Sequence, residues 1–362
     1  LEHRRQRQMC IRDSGKTLLK ILAHENIASR EPIYEKYDKQ VQGRVSIESG
    51  VADSGVLTPF NSTDYPKEIR KVGIALSTDH NPRYSMISPY WGGVNAVVEA
   101  MRNVASVGAT PHAITDCLCY GNPEKPKQMW EFVEGTRGIS DACNAITLKD
   151  NPSYPTPIIA GNVSFYNESK NGPIPPSPIV SCLGRLKDID YVLSMDFQSS
   201  GSDILMVGER KDELGGSIYY QLLGELGANV PKPDFVEVRS QIFAITDCAE
   251  GGLILSCHDI SDGGIATSIA EMTFRKNIGC LVKIPGDLQD HKILFSETGG
   301  FVIETKKENT ENVIKVFKAH GLHASKIGET GGEYIQLNET IKIKVLEACL
   351  LYTSPSPRDA TL

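Results

Sequence analysis

Apolar and polar positions alternate in patterns that predict short strands and amphipathic helices along most of the chain. The clearest helical spacing covers residues 94–108, and Gly108 is predicted to end that helix in the left-handed conformation that glycine favours. A second helix is predicted to start with Asn122 as its cap and Pro123 in its first turn, and to continue to residue 146.

Four apolar runs in the first part of the chain predict strands. They are residues 71–76, 111–117, 157–163 and 179–186. Residues 153–157 are predicted to be a proline-rich loop.

The second part of the chain repeats this alternation with different residues. Strands are predicted at residues 203–208, 253–257 and 301–304. Helices are predicted at residues 215–226, 236–249, 265–274 and 310–319. Such alternation is typical of α/β (α+β) proteins, and it predicts two domains, residues 33–190 and 191–347, each a mixed sheet covered by helices.

Both ends of the chain lack these patterns. Residues 1–15 mix arginine with cysteine and have no apolar stretch of the kind found in a secretory signal. Residues 350–362 are rich in serine and proline. We expect both to be non-native ends, similar to translated vector sequence, and we expect the true protein to continue beyond this fragment.

Charge and composition exclude several classes of function. The net charge is −7 without a basic stripe, so no nucleic-acid partner is expected. No apolar run reaches the roughly 18 residues of a membrane span, and we expect no membrane partner. Nine cysteines form no framework, and Cys117 and Cys119 are too close together for a zinc-binding pair. We therefore expect free, buried thiols and a cytoplasmic location.

Asp116 is the first candidate site residue. It ends a predicted strand and is followed by a glycine-rich turn, which is where α/β proteins place ligands. The predicted helix after that turn would direct its N–H groups toward an anion. The alternative is an aspartate that only accepts hydrogen bonds from loop amides.

The second candidate is the predicted loop Gly161-Asn162-Val163-Ser164, which follows another strand. Gly161 permits close approach of a ligand, and the amide oxygen of Asn162 suits a hard cation such as Mg²⁺. Ser164 offers a hydroxyl to a phosphate or a substrate. The alternative is an ordinary polar turn. Parallel pairing of the two strands would bring this loop to the same rim as Asp116.

Two further polar clusters are weaker candidates. Asp79, His80, Asn81 and Arg83 follow the first strand and fit either a catalytic cluster or a turn before proline. In the second part, polar residues precede glycine pairs, where a capped helix start is the better interpretation. These polar residues are His258, Asp259 and Asp262. Neither the P-loop pattern nor the dinucleotide fingerprint occurs.

In their order along the chain, several motifs resemble the large (synthetase) subunit of phosphoribosylformylglycinamidine synthase, the PurL family. They include ALSTDHNPRY at 75–84, GNVSFYNE at 161–168 and HDISDGGIATSIAEM at 258–272. The resemblance covers about residues 33–335 and is to the C-terminal half only. It implies a module similar to aminoimidazole ribonucleotide synthetase (PurM-like), with an A-type domain at 33–190 and a B-type domain at 191–347.

The resemblance implies an ATP-dependent ligase of purine biosynthesis. In that family, ATP activates the formamide oxygen of formylglycinamide ribonucleotide as an iminophosphate, and ammonia from glutamine displaces phosphate. ATP and Mg²⁺ are the implied cofactors. The implied partners are the small-molecule substrate, the missing N-terminal half, a glutaminase that is either fused or separate and, as an option, a small accessory subunit. This fragment alone is expected to be inactive.

The resemblance also implies roles for individual residues. Asp116 and Gly161 match ATP-binding positions, Asn162 matches a magnesium ligand, and Ser164 matches a substrate contact. No catalytic residue is expected in this chain, because the catalytic histidine belongs to the missing half.

The cluster around His80 resembles a degenerate counterpart of the catalytic run in that half. Asp79 stands where the catalytic histidine would be, and Ser77 and Asn103 stand where acidic metal ligands would be. The chain departs from the family pattern at two places. Cys119 stands where the family has an amide side chain, and residues 149–154 are an insertion.

Two alternatives remain open at this point. One is an auxiliary half that binds a nucleotide for structural reasons. The other is a different ATP-using PurM-like enzyme, such as aminoimidazole ribonucleotide synthetase.

Overall fold

A computed structural model describes residues 14–353, so residues 1–13 and 354–362 of the two predicted non-native ends lie outside the described part. The described portions of those ends are helical: α1 is Ser14–Leu22, and the last helix, Val345–Thr353, contains residues 350–353. Leu18 and Ile21 of α1 are fully buried in the second hydrophobic core. The second domain thus includes a helix that precedes the predicted first domain.

The described residues of the first part, from residue 14 onward, form ten strands. They are β1 Val45–Ile47, β2 Gly55–Leu57, β3 Gly73–Asp79, β4 Thr110–Cys119, β5 Thr147–Leu148, β6 Asn151–Pro155, β7 Ile158–Ser164, β8 Glu168–Ser169, β9 Gly172–Pro173 and β10 Ser177–Leu186. Six of them form a sheet in the order β1-β2-β3-β10-β4-β7, while β5 with β6 and β8 with β9 form separate hairpins. Within this sheet β4 and β7 are parallel, and the other neighbours are antiparallel.

The helices of the first part are α2 Glu31–Tyr34, α3 Pro82–Ile87, α4 Pro89–Ser106 and α5 Pro126–Ala145. α4 and α5 cover one face of the first sheet. α4 packs on the sheet, and α5 packs on α4 at close range, because a β-carbon on Gly138 would lie 2.1 Å from the carbonyl oxygen of Tyr90. The opposite face carries half-buried and exposed residues, such as Leu76 and Thr78.

The second part forms a seven-stranded sheet. Its strands are β11 Asp203–Val207, β12 Ser256–Ile260, β13 Cys280–Val282, β14 Gly300–Thr305, β15 Ala324–Thr330, β16 Tyr334–Leu337 and β17 Ile341–Lys344, in the order β12-β14-β11-β15-β13-β16-β17. Its helices are α6 Ile218–Leu222, α7 Phe235–Glu250, α8 Gly264–Phe274, α9 Asp290–Phe295, α10 Thr310–Ala319 and α11 Val345–Thr353. Leu205 and Phe301 share a core with α7 and α10, whereas Ile204 and Val302 share one with α1 and α8. Helices therefore cover both faces of this sheet.

The helix predicted to begin at Asn122 begins instead at Pro126, so this prediction is wrong. The Asn122 side chain accepts a hydrogen bond from the Glu124 N–H at 2.9 Å, and the N–H of Lys125 donates to the Asn122 carbonyl. These bonds close a separate turn before the helix. Proline at the first position of α5 is still present, three residues later than expected.

Three other element predictions need correction. Residues 153–157 are not simply a loop, because most of them belong to β6. The helix predicted at 215–226 is only α6, which ends at Leu222, and Gly224 and Gly227 take positive φ values of 71° and 75° that a helix does not allow. The strand predicted at 253–257 lies at Ser256–Ile260.

Residues 149–154, predicted to be an insertion, contact the second domain through Lys149. Lys149, beside the β5–β6 hairpin, lies 2.6 Å from the carboxylate of Asp247 on α7 and donates to the hydroxyl of Thr246 at 2.7 Å. His320 contacts the same carboxylate at 2.7 Å. Lys149 therefore forms an ion pair between the first and second domains. Between residues 14 and 353, no helix combines the length and hydropathy that a membrane span requires.

Candidate functional site

Asp116 and Gly161 are direct neighbours on the parallel strands β4 and β7, as the sequence predicted for the two candidate segments. A β-carbon on Gly161 would lie 2.6 Å from Oδ1 of Asp116, closer than carbon and oxygen can approach. The carboxylate therefore occupies the space that any other residue at position 161 would fill. An alanine at this position would have to displace the Asp116 carboxylate.

The candidate residues lie within strands and not in loops, which corrects the prediction for residues 161–164. Asp116 lies three residues before the end of β4. Adjacent residues on a strand project to opposite faces of the sheet. Asp116 and Gly161 therefore lie on the face that the helices cover, the helix side. Asn162 and Ser164 lie on the opposite face, the open side, where they pair with Cys117 and Cys119.

Ser164 and Asn162, the two residues on the open side, differ in their hydrogen bonds. The Asn167 amide donates to Oγ of Ser164 at 3.1 Å and to the carbonyl oxygen of Tyr120 at 3.0 Å, so the hydroxyl is held within its own turn. Asn162 is exposed, and its amide forms no hydrogen bond with the described residues. Its oxygen is available to a ligand or a hard cation.

Asp116 is half-buried, and burial raises the pKa of its carboxyl. Among the described residues, no lysine or arginine pairs with it. An acceptor of this kind, near the sheet edge, can receive hydrogen bonds from amino or hydroxyl groups of a ligand. Nearby Cys117 and Cys119 are free and half-buried, with their sulfur atoms 3.9 Å apart, so the expectation of buried thiols is wrong for this pair.

A second constellation lies on the helix side, between α4 and the second domain. Its acidic members are carboxylates from β3, α4, β12 and the start of α8, namely Asp79, Glu99, Asp259 and Asp262. Asp259 is buried, and the other three are half-buried. Burial raises the pKa of each one, and the neighbouring carboxylates raise several of them further. The pKa of Asp259 rises to about 7 and that of Asp262 to about 6.

Amide side chains donate hydrogen bonds to two of these carboxylates, and one arginine lies near a third. Asn103 donates to Asp79 at 3.2 Å, and Asn81 donates to Asp262 at 3.1 Å. Nε of Arg102 lies 3.8 Å from Oδ2 of Asp259. His80 lines the same cavity, but burial lowers its pKa to about 4, and its ring nitrogens have no hydrogen-bond partner in the described part of the chain.

His258 lies between two carboxylates at the edge of this cluster. Its ring is 2.7 Å from Asp53 and 3.0 Å from Glu271. Burial by itself would lower the pKa of His258, but these carboxylates raise it well above its usual value. The ligand atoms of Asp53, His258 and Asp259 lie within 4.8 Å of one another, so these three residues could hold a cation, whereas the two close carboxylates favour a protonated imidazole.

Sequence analysis missed three members of this cluster: Asp53, Glu99 and Glu271. Glu99 lies four residues before Asn103 on α4, so helical spacing could have shown that the two share a face. Asp53 comes from a segment with no predicted element, and no pattern in the sequence connects it with His258. The catalytic interpretation of the His80 segment and its interpretation as a degenerate counterpart both stay predictions.

The two glycine-rich helix starts share one buried carboxylate. Oε1 of Glu297 accepts the N–H groups of Ile218 and Gly263, each at 2.8 Å, and Oε2 accepts the hydroxyl of Tyr84 at 2.5 Å. Burial and the charge of Asp262 raise the pKa of Glu297, these hydrogen bonds oppose the shift, and the net value is about 8. The starts of α6 and α8 are thus capped by a distant residue.

These raised pKa values predict that stability falls as pH rises. The carboxyls of Asp262 and Glu297 bind protons more tightly in the folded chain, with pKa values of about 6 and about 8, than in the unfolded chain. Their contribution is therefore complete below about pH 4 and is lost as pH rises toward 8, by roughly 1.4 kcal/mol per pH unit for each additional bound proton. Urea unfolding at pH 5 and pH 8 with a chelator present measures this difference.

The Asp262→Asn variant is the control for this dependence, since its amide oxygen can still accept from Asn81. We expect the variant to lose part of the decrease in the free energy of unfolding between pH 5 and pH 8. Equal slopes in both proteins would rule out Asp262 as a source of the pH dependence.

The model described as AIR synthase related protein, N-terminal domain, matches residues 53–186, and that described as AIR synthase related protein, C-terminal domain, matches residues 199–337. The chain belongs to the AIR synthase related family. Two domains with helix-covered mixed sheets agree with this family and confirm the predicted PurM-like fold class.

Curated relatives in this family carry the name phosphoribosylformylglycinamidine synthase subunit PurL. The subunit from Methanothrix thermoacetophila is 44% identical over 336 residues, which is 92% of this chain and 43% of the relative. That from Alkaliphilus metalliredigens is 36% identical over 339 residues, which is 93% of this chain and 44% of the relative. The chain spans less than half the length of these AIR synthase related proteins, and the predicted PurL resemblance is confirmed.

Solved AIR synthase related structures share the fold. A structure named T. maritima PurL complexed with FGAR has a TM-score of 0.72 at 18% identity, covering 94% of this chain and 53% of that chain. One named T. maritima PurL complexed with ATP has a TM-score of 0.62 at 19% identity, covering 79% and 46%. At this identity the likeness supports the two-domain architecture.

Proposed function

We propose that this chain is the C-terminal half of the synthetase subunit of phosphoribosylformylglycinamidine synthase. In this proposal it contributes one wall of an active site that uses ATP, Mg²⁺ and formylglycinamide ribonucleotide. Asp116 and Gly161 contact ATP, Asn162 binds Mg²⁺, and Ser164 contacts the substrate. The observation that carries the proposal is the pairing of Asp116 with Gly161, together with the PurL relatives.

The exposed edge of the first sheet supports a partner half. β7 is at the edge of the sheet, and its Ile159 and Val163 side chains are 64% and 50% exposed. Exposed strand edges with apolar side chains are typical of interaction sites. We assign this surface to the N-terminal half, because the chain corresponds to 43% of its Methanothrix relative.

Further partners follow from the same proposal. A solved structure with a TM-score of 0.64 is named PurLQS from Thermotoga maritima, and this name supports a complex of several subunits. We propose that a glutaminase domain or subunit, and a small accessory subunit in one arrangement, join this protein in the cytoplasm. Cys119 faces the open side near Ser164 and lacks the amide of the family pattern.

The proposed activity is tested by joining this chain to the upstream half of the Methanothrix subunit, with ammonia as nitrogen donor. This chain alone is expected to show no ATP-dependent formation of the amidine, whereas the joined protein is expected to show it. Phosphate release and product formation measure the reaction. A joined protein that folds and binds ATP without turnover would contradict the proposal.

Asn162→Ala in the joined protein tests the proposed metal ligand. We expect an apparent Mg²⁺ requirement about tenfold higher, because an exposed amide oxygen would be lost from the coordination shell. Asn151→Ala removes another exposed asparagine amide, on β6, and is expected to leave the Mg²⁺ titration unchanged. Identical titrations in all three proteins would remove Asn162 from the site.

The alternative of a structural nucleotide site remains distinguishable. If the nucleotide only stabilises the fold, it contributes RT ln(1 + [L]/Kd) to stability. Asp116→Asn would then lower the melting temperature in ATP and leave turnover intact. The active-site proposal expects the opposite result, in which turnover falls and the melting temperature without nucleotide is unchanged.

A further inference from the structure

Two free thiols lie side by side on the open side of the first sheet. Cys117 and Cys119 belong to β4, and both are half-buried. Their sulfur atoms are 3.9 Å apart. Residues two apart on a strand are separated by roughly 6.5 Å along it. Both side chains therefore lean toward each other.

The spacing of these cysteines in the sequence argued against a zinc site, because the cysteines of a zinc knuckle usually lie further apart. β4 is extended, however, and adjacent residues on a strand project to opposite faces. Leu118 therefore faces the helix side, where it is buried, and the two cysteines face the open side together. On a strand, this spacing brings the two thiols to one surface.

The distance between the two sulfur atoms matches that of two thiolates on one metal ion. Sulfur atoms that each lie about 2.3 Å from a tetrahedral Zn²⁺ are roughly 3.8 Å apart. A disulfide fits this strand less well, because its two α-carbons usually lie about 5.5–6 Å apart, closer than residues two apart on a strand. The arrangement therefore favours a shared cation over a sulfur–sulfur bond.

The neighbouring strand adds oxygen atoms on the same face. Asn162 on β7 is the direct neighbour of Cys117, and Ser164 is the direct neighbour of Cys119. The hydroxyl of Ser164 is held by Asn167, whereas the exposed amide of Asn162 forms no hydrogen bond with the described residues. This face thus offers two sulfur atoms and one free oxygen, with solvent access for any further ligand.

We propose that Cys117 and Cys119 together bind one thiophilic cation such as Zn²⁺, whose coordination is completed by solvent or by the oxygen of Asn162. Thiolates select soft cations, whereas Mg²⁺ prefers oxygen ligands, so this site differs from the proposed Mg²⁺ position in its choice of metal. Cys119 is also a departure from the family pattern, which makes the thiol pair a property of this chain. The inference does not depend on the proposed function, because it concerns ion binding by this chain alone.

Thiolate absorption distinguishes this site from the cluster of Asp53, His258 and Asp259, which could also hold a cation. That cluster supplies no sulfur. Among the described cysteines, all except Cys117, Cys119 and Cys349 are buried. An ultraviolet charge-transfer band from thiolate to metal therefore reports the proposed pair or Cys349, and a variant of Cys349 separates these two sources.

Titration of the full chain with Cd²⁺ under reducing conditions tests the site, with Mg²⁺ in excess to occupy oxygen ligands. We expect the thiolate band to rise and to saturate at one ion per chain, and we expect Zn²⁺ to abolish it by displacing Cd²⁺. Cys117→Ser and Cys119→Asn are each expected to raise the Cd²⁺ concentration at half-saturation by about 100-fold, because a single thiolate remains.

Cys349→Ser is the matched control, because it removes another half-buried free thiol, on α11, and leaves the pair intact. It is expected to give the same band and the same half-saturation as the unchanged chain. A second measurement needs no variant: Zn²⁺ should slow the modification of Cys117 and Cys119 by a thiol reagent at least about 10-fold, as followed by mass spectrometry, since a metal-bound thiolate is shielded.

Four results would overturn the proposal. They are no thiolate band at one Cd²⁺ per chain, an unchanged band in Cys117→Ser or Cys119→Asn, a band that is lost in Cys349→Ser, and equal modification rates of the pair with and without Zn²⁺.

Discussion

Glu297→Leu is expected to lower the free energy of unfolding by about 3–5 kcal/mol. Its carboxylate accepts hydrogen bonds from three buried donors, which are the N–H groups of Ile218 and Gly263 and the hydroxyl of Tyr84. Each buried donor that loses its acceptor costs about 1–3 kcal/mol, and the apolar leucine recovers part of this loss. Urea unfolding at pH 7 measures the change.

Two variants separate this effect from a general one. Glu297→Gln keeps an oxygen for the two N–H groups and offers its amide to the Tyr84 oxygen, so a loss of only about 1 kcal/mol is expected. Glu308→Leu changes an exposed glutamate and should alter stability by less than about 0.5 kcal/mol. A Glu297→Leu protein as stable as the Glu308→Leu protein would show that Glu297 does not hold these helix starts.

Gly161→Ala is expected to have the second large effect, on activity and not on stability. In the protein joined to an upstream half, kcat/KM for ATP should fall about 100-fold, since an added β-carbon 2.6 Å from Asp116 must displace that carboxylate. Residue 161 is exposed at a sheet edge, so the melting temperature should change little. Steady-state kinetics at fixed Mg²⁺ measure the effect.

The matched control is Gly55→Ala on β2, where an added β-carbon finds its nearest neighbour at 3.9 Å. This variant should retain full kcat/KM. The proposed role of the Asp116–Gly161 pair would be excluded if both alanine variants were equally active. Equal losses in both variants would instead indicate a general sensitivity of the first sheet.

The relation between the two sites is decided by α4. This helix carries Glu99 and Asn103 toward the acidic cluster and Arg102 toward the second domain, and it is buried along most of its length. The first sheet, with Asp116 and Gly161, packs against the same helix. A substitution in α4 can therefore affect the acidic cluster and the first sheet together.

Local sequence patterns predicted the helices, strands and helix ends that depend on interactions between residues close in the sequence. The apolar spacing of α4 and of the strands around it gave the α/β class, and Gly108 follows the helix with φ of 84°, as expected for a terminating glycine. The same patterns were less accurate where a turn competes with a helix. At Asn122, side-chain and backbone hydrogen bonds close a turn first, and α5 starts only at Pro126.

The sequence by itself determined the strands, the core helices, the family resemblance and the pairing of two candidate segments. Tertiary structure alone decided which side chains share a space. Strand alternation separates Asp116 from Asn162 across the sheet, and chain segments far apart bring Asp53 to His258 and Glu297 to Gly263. The physical reason is that hydrophobic periodicity indicates only which face of a helix or strand is buried. A buried charge also needs a partner, and that partner can come from a segment far away in the sequence.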